Sequence, residues 1–186
     1  MTSGLSAGAK PSSSRAALYR WVFCAVVAAV SLAVDLYTKQ WAWDTLRAPG
    51  GRPIMLWDPT LELAFVLNTG TAFSLVEEIR QPWVMVPLAG LVVAYIVFLT
   101  VRLEKPSWWH LVGTGLIVAG AIGNLHDRFV RFDPMGRPGV VDFVKVNFPW
   151  GGSWPSFNVA DAILVVGVCL VMLGLRGRDA AGSLTS

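Results

Sequence analysis

Four apolar runs organise this chain, and its polar residues collect between them or at their ends. The first covers about 18–43 and is interrupted near its end by Asp35 and Lys39. The second, 82–101, contains no Asp, Glu, Lys or Arg. The third, 108–126, carries His110 and His126 at its two ends, and the fourth, 157–175, holds Asp161 near its start. A helix crosses the hydrocarbon core with about 20 mostly apolar residues. Each run therefore predicts one transmembrane helix, and the fold class is a mainly α membrane protein with four spans. Between the first two runs, Leu61-Glu62-Leu63-Ala64-Phe65-Val66-Leu67 partly alternates, which predicts a small extracytoplasmic β-sheet in the first outer loop. Positions 129–139 include Pro134, Gly136, Pro138 and Gly139 and read as a loop. Residues 1–14 are rich in Ser, Gly and Ala, the mark of a disordered tail. The organisation is a tail at 1–14, one four-span domain at 15–178 and a second tail at 179–186.

Composition agrees. Of the 186 residues, 54% are hydrophobic and 15% charged, with mean hydropathy +0.56, whereas a soluble domain is about 25% charged. The net charge of +3 does not indicate nucleic acid, because the basic residues scatter over both ends and every loop without forming a stripe. Cys24 and Cys169 lie inside the first and fourth runs and read as small packing residues. No disulfide framework or metal-binding spacing is present, so no metal and no cofactor are expected. The first run also has features of a cleaved signal peptide, with Lys10, Arg15 and Arg20 upstream and the small residues Ser31 and Ala33. The later spans keep the membrane reading in either case.

Four spans put both termini on one side. Lys10, Arg15, Arg20, Arg102, Lys105, Arg176 and Arg178 share that side and sit in short segments. Lys39, Arg47, Arg52, Arg80, Arg128, Arg131, Arg137 and Lys145 are spread over much longer ones. The positive-inside rule weights short loops and tails, so both termini are expected in the cytoplasm. Trp41, Trp43, Trp83, Trp150 and Trp154 then lie near the outer interface, and Trp108 and Trp109 near the inner one, as aromatic belts do.

Carboxylates beside a span are costly and therefore candidates for function. Asp35, Asp127, Asp142 and Asp161 all fall at outer helix ends. Asp161 shares a helix face with Asn158, three positions earlier. It could be a helix N-terminal acid favoured by the macrodipole, but the apolar run places the helix start further upstream. Asp142, in Val140-Val141-Asp142-Phe143-Val144, is a poor strand former and could be an exposed edge residue. If the two carboxyls meet, they share a proton. The ionised one can then accept a proton from water while the protonated one polarises a carbonyl. Arg128 can hold a carboxylate or a lipid phosphate through its planar fork. Asp35 and Lys39, an i,i+4 pair, suit a scaffold or a substrate contact equally. Gly115, Ala119 and Gly123 form a small-residue ridge for close packing. His110 and His126 read as interfacial polar residues and not as ligands.

Five segments in order among the spans carry a resemblance: Asp35-Leu36-Tyr37-Thr38-Lys39, Asn68-Thr69-Gly70-Thr71-Ala72-Phe73-Ser74, Gly123-Asn124-Leu125-His126-Asp127-Arg128, Val140-Val141-Asp142-Phe143 and Phe157-Asn158-Val159-Ala160-Asp161. From about Arg20 to Leu175 the chain resembles the lipoprotein signal peptidases, or signal peptidase II. The resemblance implies an aspartyl endopeptidase of the bacterial cytoplasmic (inner) membrane. Such enzymes remove the signal peptide from diacylglyceryl-modified prolipoproteins, cutting N-terminal to the lipidated cysteine. It maps the catalytic pair onto Asp142 and Asp161, and the supporting or substrate-binding residues onto Asp35, Lys39, Asn68, Gly70, Asn124, Asp127, Arg128 and Asn158. It also implies an active site near the outer face, membrane lipids as surroundings, inhibition by globomycin-type cyclic peptides and a chain that works as a monomer. Two departures stand out: the 129–139 connection is longer than usual for the family, and His126 replaces an apolar or aromatic residue.

Two other classes compete. A proton-coupled transporter could use the aspartates as a relay, but the chain has no repeat and no carboxylate near a span's centre. A non-catalytic membrane scaffold would leave the one-sided aspartates unexplained.

Overall fold

The computed structural model describes residues 13–47, 52–70, 82–103 and 106–183. Most of the N-terminal tail, positions 71–74 of the Asn68–Ser74 segment, Arg80 and Lys105 lie outside the described residues. Four helices and three strands follow in the order α1 (Ser13–Thr45), β1 (Ile54–Trp57), β2 (Leu61–Asn68), α2 (Pro82–Arg102), α3 (Trp108–Val130), β3 (Val140–Val146) and α4 (Val159–Ser183). The protein is mainly helical, with a small antiparallel sheet.

The 33 residues of α1 contain neither Gly nor Pro, so nothing in the sequence breaks the helix. Its two faces differ sharply. Cys24, Asp35, Lys39 and Ala42 are buried on one side, while Leu18, Val22, Val26, Val30 and Val34 recur every four residues and stay about half exposed on another. A row of exposed aliphatic side chains suits a hydrocarbon solvent. Helices α1 and α3 are long and apolar enough to cross a membrane, and the described parts of α2 and α4 hold shorter apolar stretches, Gly90–Arg102 and Val159–Leu175. Helix α4 continues to Ser183, so the tail expected from 179 is helical over most of its length.

Helix α3 is the hub, packed on α1, α2 and α4. Its glycines set how closely the neighbours approach. A Cβ on Gly115 would stand 2.9 Å from the Cys24 carbonyl oxygen, and one on Gly123 would strike the Asp35 carboxylate. The expected Gly115–Gly123 ridge therefore receives α1. A second face serves α4: a Cβ on Gly113 would sit 2.6 Å from the Gly167 carbonyl oxygen, and one on Gly120 would sit 2.7 Å from that of Ala160. Ser107 caps α3, its hydroxyl accepting the His110 N–H at 3.2 Å. His110 is buried: its Nε2 lies 3.1 Å from the Thr100 hydroxyl of α2, which in turn lies 2.9 Å from that of Thr114. This interhelical contact accounts for a polar residue at that depth.

The sheet runs β1-β2-β3, antiparallel throughout. It is not confined to the first outer loop, as the sequence suggested. Its third strand comes from the connection between α3 and α4, and Val66 pairs with Asp142, and Asn68 with Val140. The outer edge of β3 is partly occupied by Phe157, whose carbonyl accepts the Phe143 and Val144 N–H groups and whose N–H returns to the Val144 carbonyl. Beneath the sheet, Val141 and Phe143 pack with Ala42 of α1 and Leu46 just beyond its end, flanked by Trp41, Trp43 and Phe65. Residues 131–139 are a closed hairpin. Gly139 N–H reaches the Arg131 carbonyl at 3.1 Å, and the Asp133 carboxylate accepts the Met135 and Arg137 N–H groups.

Candidate active site

Strand alternation decides where Asp142 points. Val141 and Phe143 face the small core, so Asp142 projects from the opposite face of β3, where α4 begins. It is only 2% exposed, not the exposed edge residue that was one reading of its segment. Its Oδ2 accepts the Asn68 amide at 2.9 Å and its Oδ1 the Asn158 amide at 2.8 Å. Asn68 is itself held in place. The Gly70 N–H donates to its Oδ1 at 2.9 Å, in a turn where Gly70 has φ +84°, a conformation that glycine adopts without steric penalty.

Asp161 enters from α4, and here the sequence reading needs correction. The helix does not begin upstream; it starts at Val159, with Asn158 as its cap. Asn158 Oδ1 accepts the Asp161 N–H at 3.0 Å, and Asp161 Oδ2 accepts the Asn158 N–H at 3.2 Å. This reciprocal pair is a capping box. Asp161 is thus the helix N-terminal acid that the alternative proposed, yet its second oxygen is not used by the cap. That Oδ1 accepts the Asn124 amide of α3 at 2.8 Å. Asn158 consequently touches both aspartates, through its backbone to Asp161 and through its side chain to Asp142.

Below the pair lies a layer of fully buried charge. Asp35, Lys39 and Asp127 have no solvent exposure. Lys39 Nζ lies 2.8 Å from Asp35 Oδ2, donates to Asn124 Oδ1 at 2.8 Å and stands 4.0 Å from Asp127 Oδ2. Asp35 also accepts the Ala160 N–H at 2.8 Å, which ties the first turn of α4 to α1. Asp127 accepts the Val141 N–H at 2.9 Å, one residue before Asp142. Asn124 therefore links Lys39 to Asp161, and Asp127 links α3 to β3.

Burial is the largest influence on Asp142 and pushes its pKa up to about 6; the Asp161 charge adds to the rise, while the Asn68 and Asn158 amides and Lys39 oppose it. Among the described residues no group of His, Cys, Asp and Glu is arranged to hold a metal ion.

Of the residues singled out from sequence, Asp35, Lys39, Asn68, Gly70, Asn124, Asp127, Asp142, Asn158 and Asp161 form one connected polar network. Arg128 does not join it: among the described residues it makes no ion pair. The guanidinium on Asp127 belongs to Arg131, with Nε 2.9 Å from Asp127 Oδ1 and 5% exposure. Sequence reasoning passed over Arg131, although Asp127 and Arg131 have the same i,i+4 spacing that drew attention to Asp35 and Lys39.

A family model described as "Signal peptidase (SPase) II" matches residues 27–176. The chain belongs to the signal peptidase II family. It is 42% identical over 154 residues to a lipoprotein signal peptidase of Mycobacterium avium (strain 104), covering 82% of this chain and 79% of that one. A lipoprotein signal peptidase of Rhodococcus jostii (strain RHA1) is 41% identical over 159 residues, covering 85% and 75%. Among solved structures, a bacterial membrane enzyme determined by the in meso method at 2.3 Å superposes with TM-score 0.68 at 23% identity, covering 86% of this chain and 90% of that one. A second, at 1.9 Å, gives TM-score 0.68 at 24% identity, covering 82% and 92%. The fold is thus shared with membrane enzymes. Members of the signal peptidase II family are proteases, and the long apolar helices agree with a membrane protease.

Proposed function

We propose that Asp142 and Asp161 are the catalytic pair of this peptidase. The observation that carries the proposal is Asn158, one residue holding both carboxylates at the junction of sheet and helix bundle. Family membership makes the chain a protease that removes signal peptides from prolipoproteins. The finer reading is that its substrates are diacylglyceryl-modified and are cut N-terminal to the lipidated cysteine.

The environments divide the labour. Asp142 is almost wholly buried and holds its proton to higher pH than an ordinary carboxyl; desolvation by a bound substrate raises its pKa further. Asp142 is therefore the acid and Asp161 the base. Asp161 removes a proton from water as the water oxygen attacks the scissile carbonyl carbon, and Asp142 donates its proton to the carbonyl oxygen. In the collapse of the resulting gem-diol, Asp161 passes its proton to the leaving nitrogen. Asp142 recovers one from the diol as the C–N bond breaks, so both residues return to their initial states. Asn68 with Gly70, and Asn124 with Asn158, orient the two acids. Asp35, Lys39 and Asp127 hold those amides and backbones, while Arg128, outside the network, suits a carboxylate or a lipid phosphate.

All four helices span the bilayer in this reading, with both termini in the cytoplasm and the active site near the outer face of the bacterial cytoplasmic (inner) membrane. A substrate anchored by two acyl chains keeps its cleavage site at that depth. The chain works as a monomer, surrounded by membrane lipids, and a globomycin-type peptide competes for the same site. The test is incubation of the purified protein with a diacylglyceryl-modified prolipoprotein, beside Asp142→Asn and Asp161→Asn forms shown to be folded. Cleavage by the parent and by neither variant supports the dyad. Full cleavage by a folded variant removes that aspartate from it, and proton flux through the parent in sealed vesicles without cleavage would favour the transporter.

A further inference from the structure

The strongest feature that the catalytic reading does not absorb is Arg131. It is the C-cap residue of α3 and the first residue of the 131–139 hairpin, and it is almost wholly buried. Its backbone and its side chain are both engaged near the junction of α3, β3 and α1. Its N–H donates to the Asp127 carbonyl at 2.8 Å and its carbonyl accepts the Gly139 N–H at 3.1 Å. Its Nε donates to Asp127 Oδ1 at 2.9 Å and its Nη2 to Gln40 Oε1 at 3.2 Å, while the guanidinium lies over the Trp43 ring at 4.7 Å. A planar fork stacked on an indole and bonded at two edges has little freedom.

The consequence lies one residue from the chemistry. Arg131 fixes Asp127 through Oδ1, and Oδ2 of the same carboxylate receives the Val141 N–H at 2.9 Å. Val141 is adjacent to Asp142, so a shift of that carboxylate moves the backbone that carries Asp142. The guanidinium also neutralises Asp127, which leaves Lys39, 4.0 Å from Asp127 but 2.8 Å from both Asp35 and Asn124, engaged with the amide that holds Asp161. We propose that Arg131 is a positioning residue, which through Asp127 sets both the register of β3 at Asp142 and the allegiance of Lys39 to Asn124. The long connection between α3 and β3 then has a purpose, because the closed hairpin starts and ends on this arginine and delivers Val140 to the strand in a defined register.

The proposal rests on the peptidase reading for its kinetic arm but not for its structural arm. Three forms are compared in detergent or proteoliposomes: Arg131→Met, Arg131→Lys and, as a control in the same hairpin, the exposed Arg137→Met. Hydrogen–deuterium exchange over 140–146 needs no activity. Arg131→Met should raise the exchange rate there by about tenfold or more with the four helices still protected, Arg131→Lys should give a partial rise, and Arg137→Met should match the parent. With prolipoprotein substrate, Arg131→Met should lower kcat by about 10–100-fold with KM within about threefold, and should displace the pH profile of kcat. An exchange pattern and pH profile like the parent's in folded Arg131→Met would overturn the proposal. If Arg131→Met does not fold, Arg131→Lys decides in the same way. Absence of cleavage by the parent would sink the peptidase reading while leaving the exchange result to judge Arg131.

Discussion

Replacing Asp142 by Asn should change the pH dependence of stability more than stability itself. The Asp142 carboxyl is raised from 3.8 to about 6, with burial as the first cause. Between those values the folded protein binds more protons than the unfolded chain. Stability therefore falls as pH rises through this window and levels off above about pH 6. A rise from 3.8 to about 6 corresponds to ~3 kcal/mol at most, and moving from pH 4.5 to 7.5 samples ~2 kcal/mol of it. An uncharged amide at position 142 abolishes the slope. The absolute gain at neutral pH is smaller, because the Asp142 carboxylate accepts from two amides, and the NH2 group of the introduced asparagine would face one of those donors. Asn68 cannot turn to relieve this without losing the Gly70 N–H bond, and a buried unsatisfied donor costs about 1–3 kcal/mol. Reversible unfolding in mixed micelles, titrated with a denaturing detergent at pH 4.5, 6 and 7.5, measures parent and variant side by side. The parent-minus-variant difference should move by ~2 kcal/mol across that range, with the variant favoured at high pH. Equal pH slopes in the two proteins would refute the argument that burial holds the proton on Asp142. The Asp161→Asn form should retain most of the slope, since the Asp161 charge is a lesser cause than burial.

Further outcomes follow from the layer beneath the dyad. Lys39→Met leaves the buried Asp35 carboxylate without its cation and should cost about 3–5 kcal/mol in the same unfolding assay. The double change with Asp35→Asn should recover part of that loss, and an additive result would deny the pairing. Gly123→Ala drives a methyl into the Asp35 carboxylate; destabilisation of about 1–3 kcal/mol is expected, with a drop in cleavage rate, whereas Gly90→Ala, where a Cβ meets open space, should do neither. Asn158→Ala removes a helix cap worth about 1 kcal/mol and the side-chain bonds among the acids, so kcat should fall by more than the stability loss suggests. Unchanged kcat would refute its role.

Much was readable along the chain, because apolar runs and residue spacings are local properties. The apolar runs of α1 and α2 follow from composition, and the small-residue ridge of α3 from its spacing. The short segments around Asp35, Asn68, Asn124, Asp142 and Asp161 could be named as candidates from charge in apolar surroundings. Sequence alone could not show that Val140–Val146 joins β2, since pairing across more than seventy residues depends on where α3 and α4 bring their ends. Nor could it show that α4 starts at Val159. The apolar run continues upstream into Phe157, and only the reciprocal bonds of Asn158 and Asp161 mark the boundary. The partner of His110 was not visible either, because one dimension cannot show the Thr100 hydroxyl on the neighbouring helix. The choice between Arg128 and Arg131 was the least legible. Both follow Asp127 closely, and the final turn of α3 decides it, since one residue and four residues along a helix place side chains on different sides of the carboxylate, and only Arg131 meets Trp43 and Gln40 of α1. Sequence set the apolar helices and the inventory of acids and amides; tertiary structure decided which of them touch, because burial and long-range packing create the contacts that spacing alone does not encode.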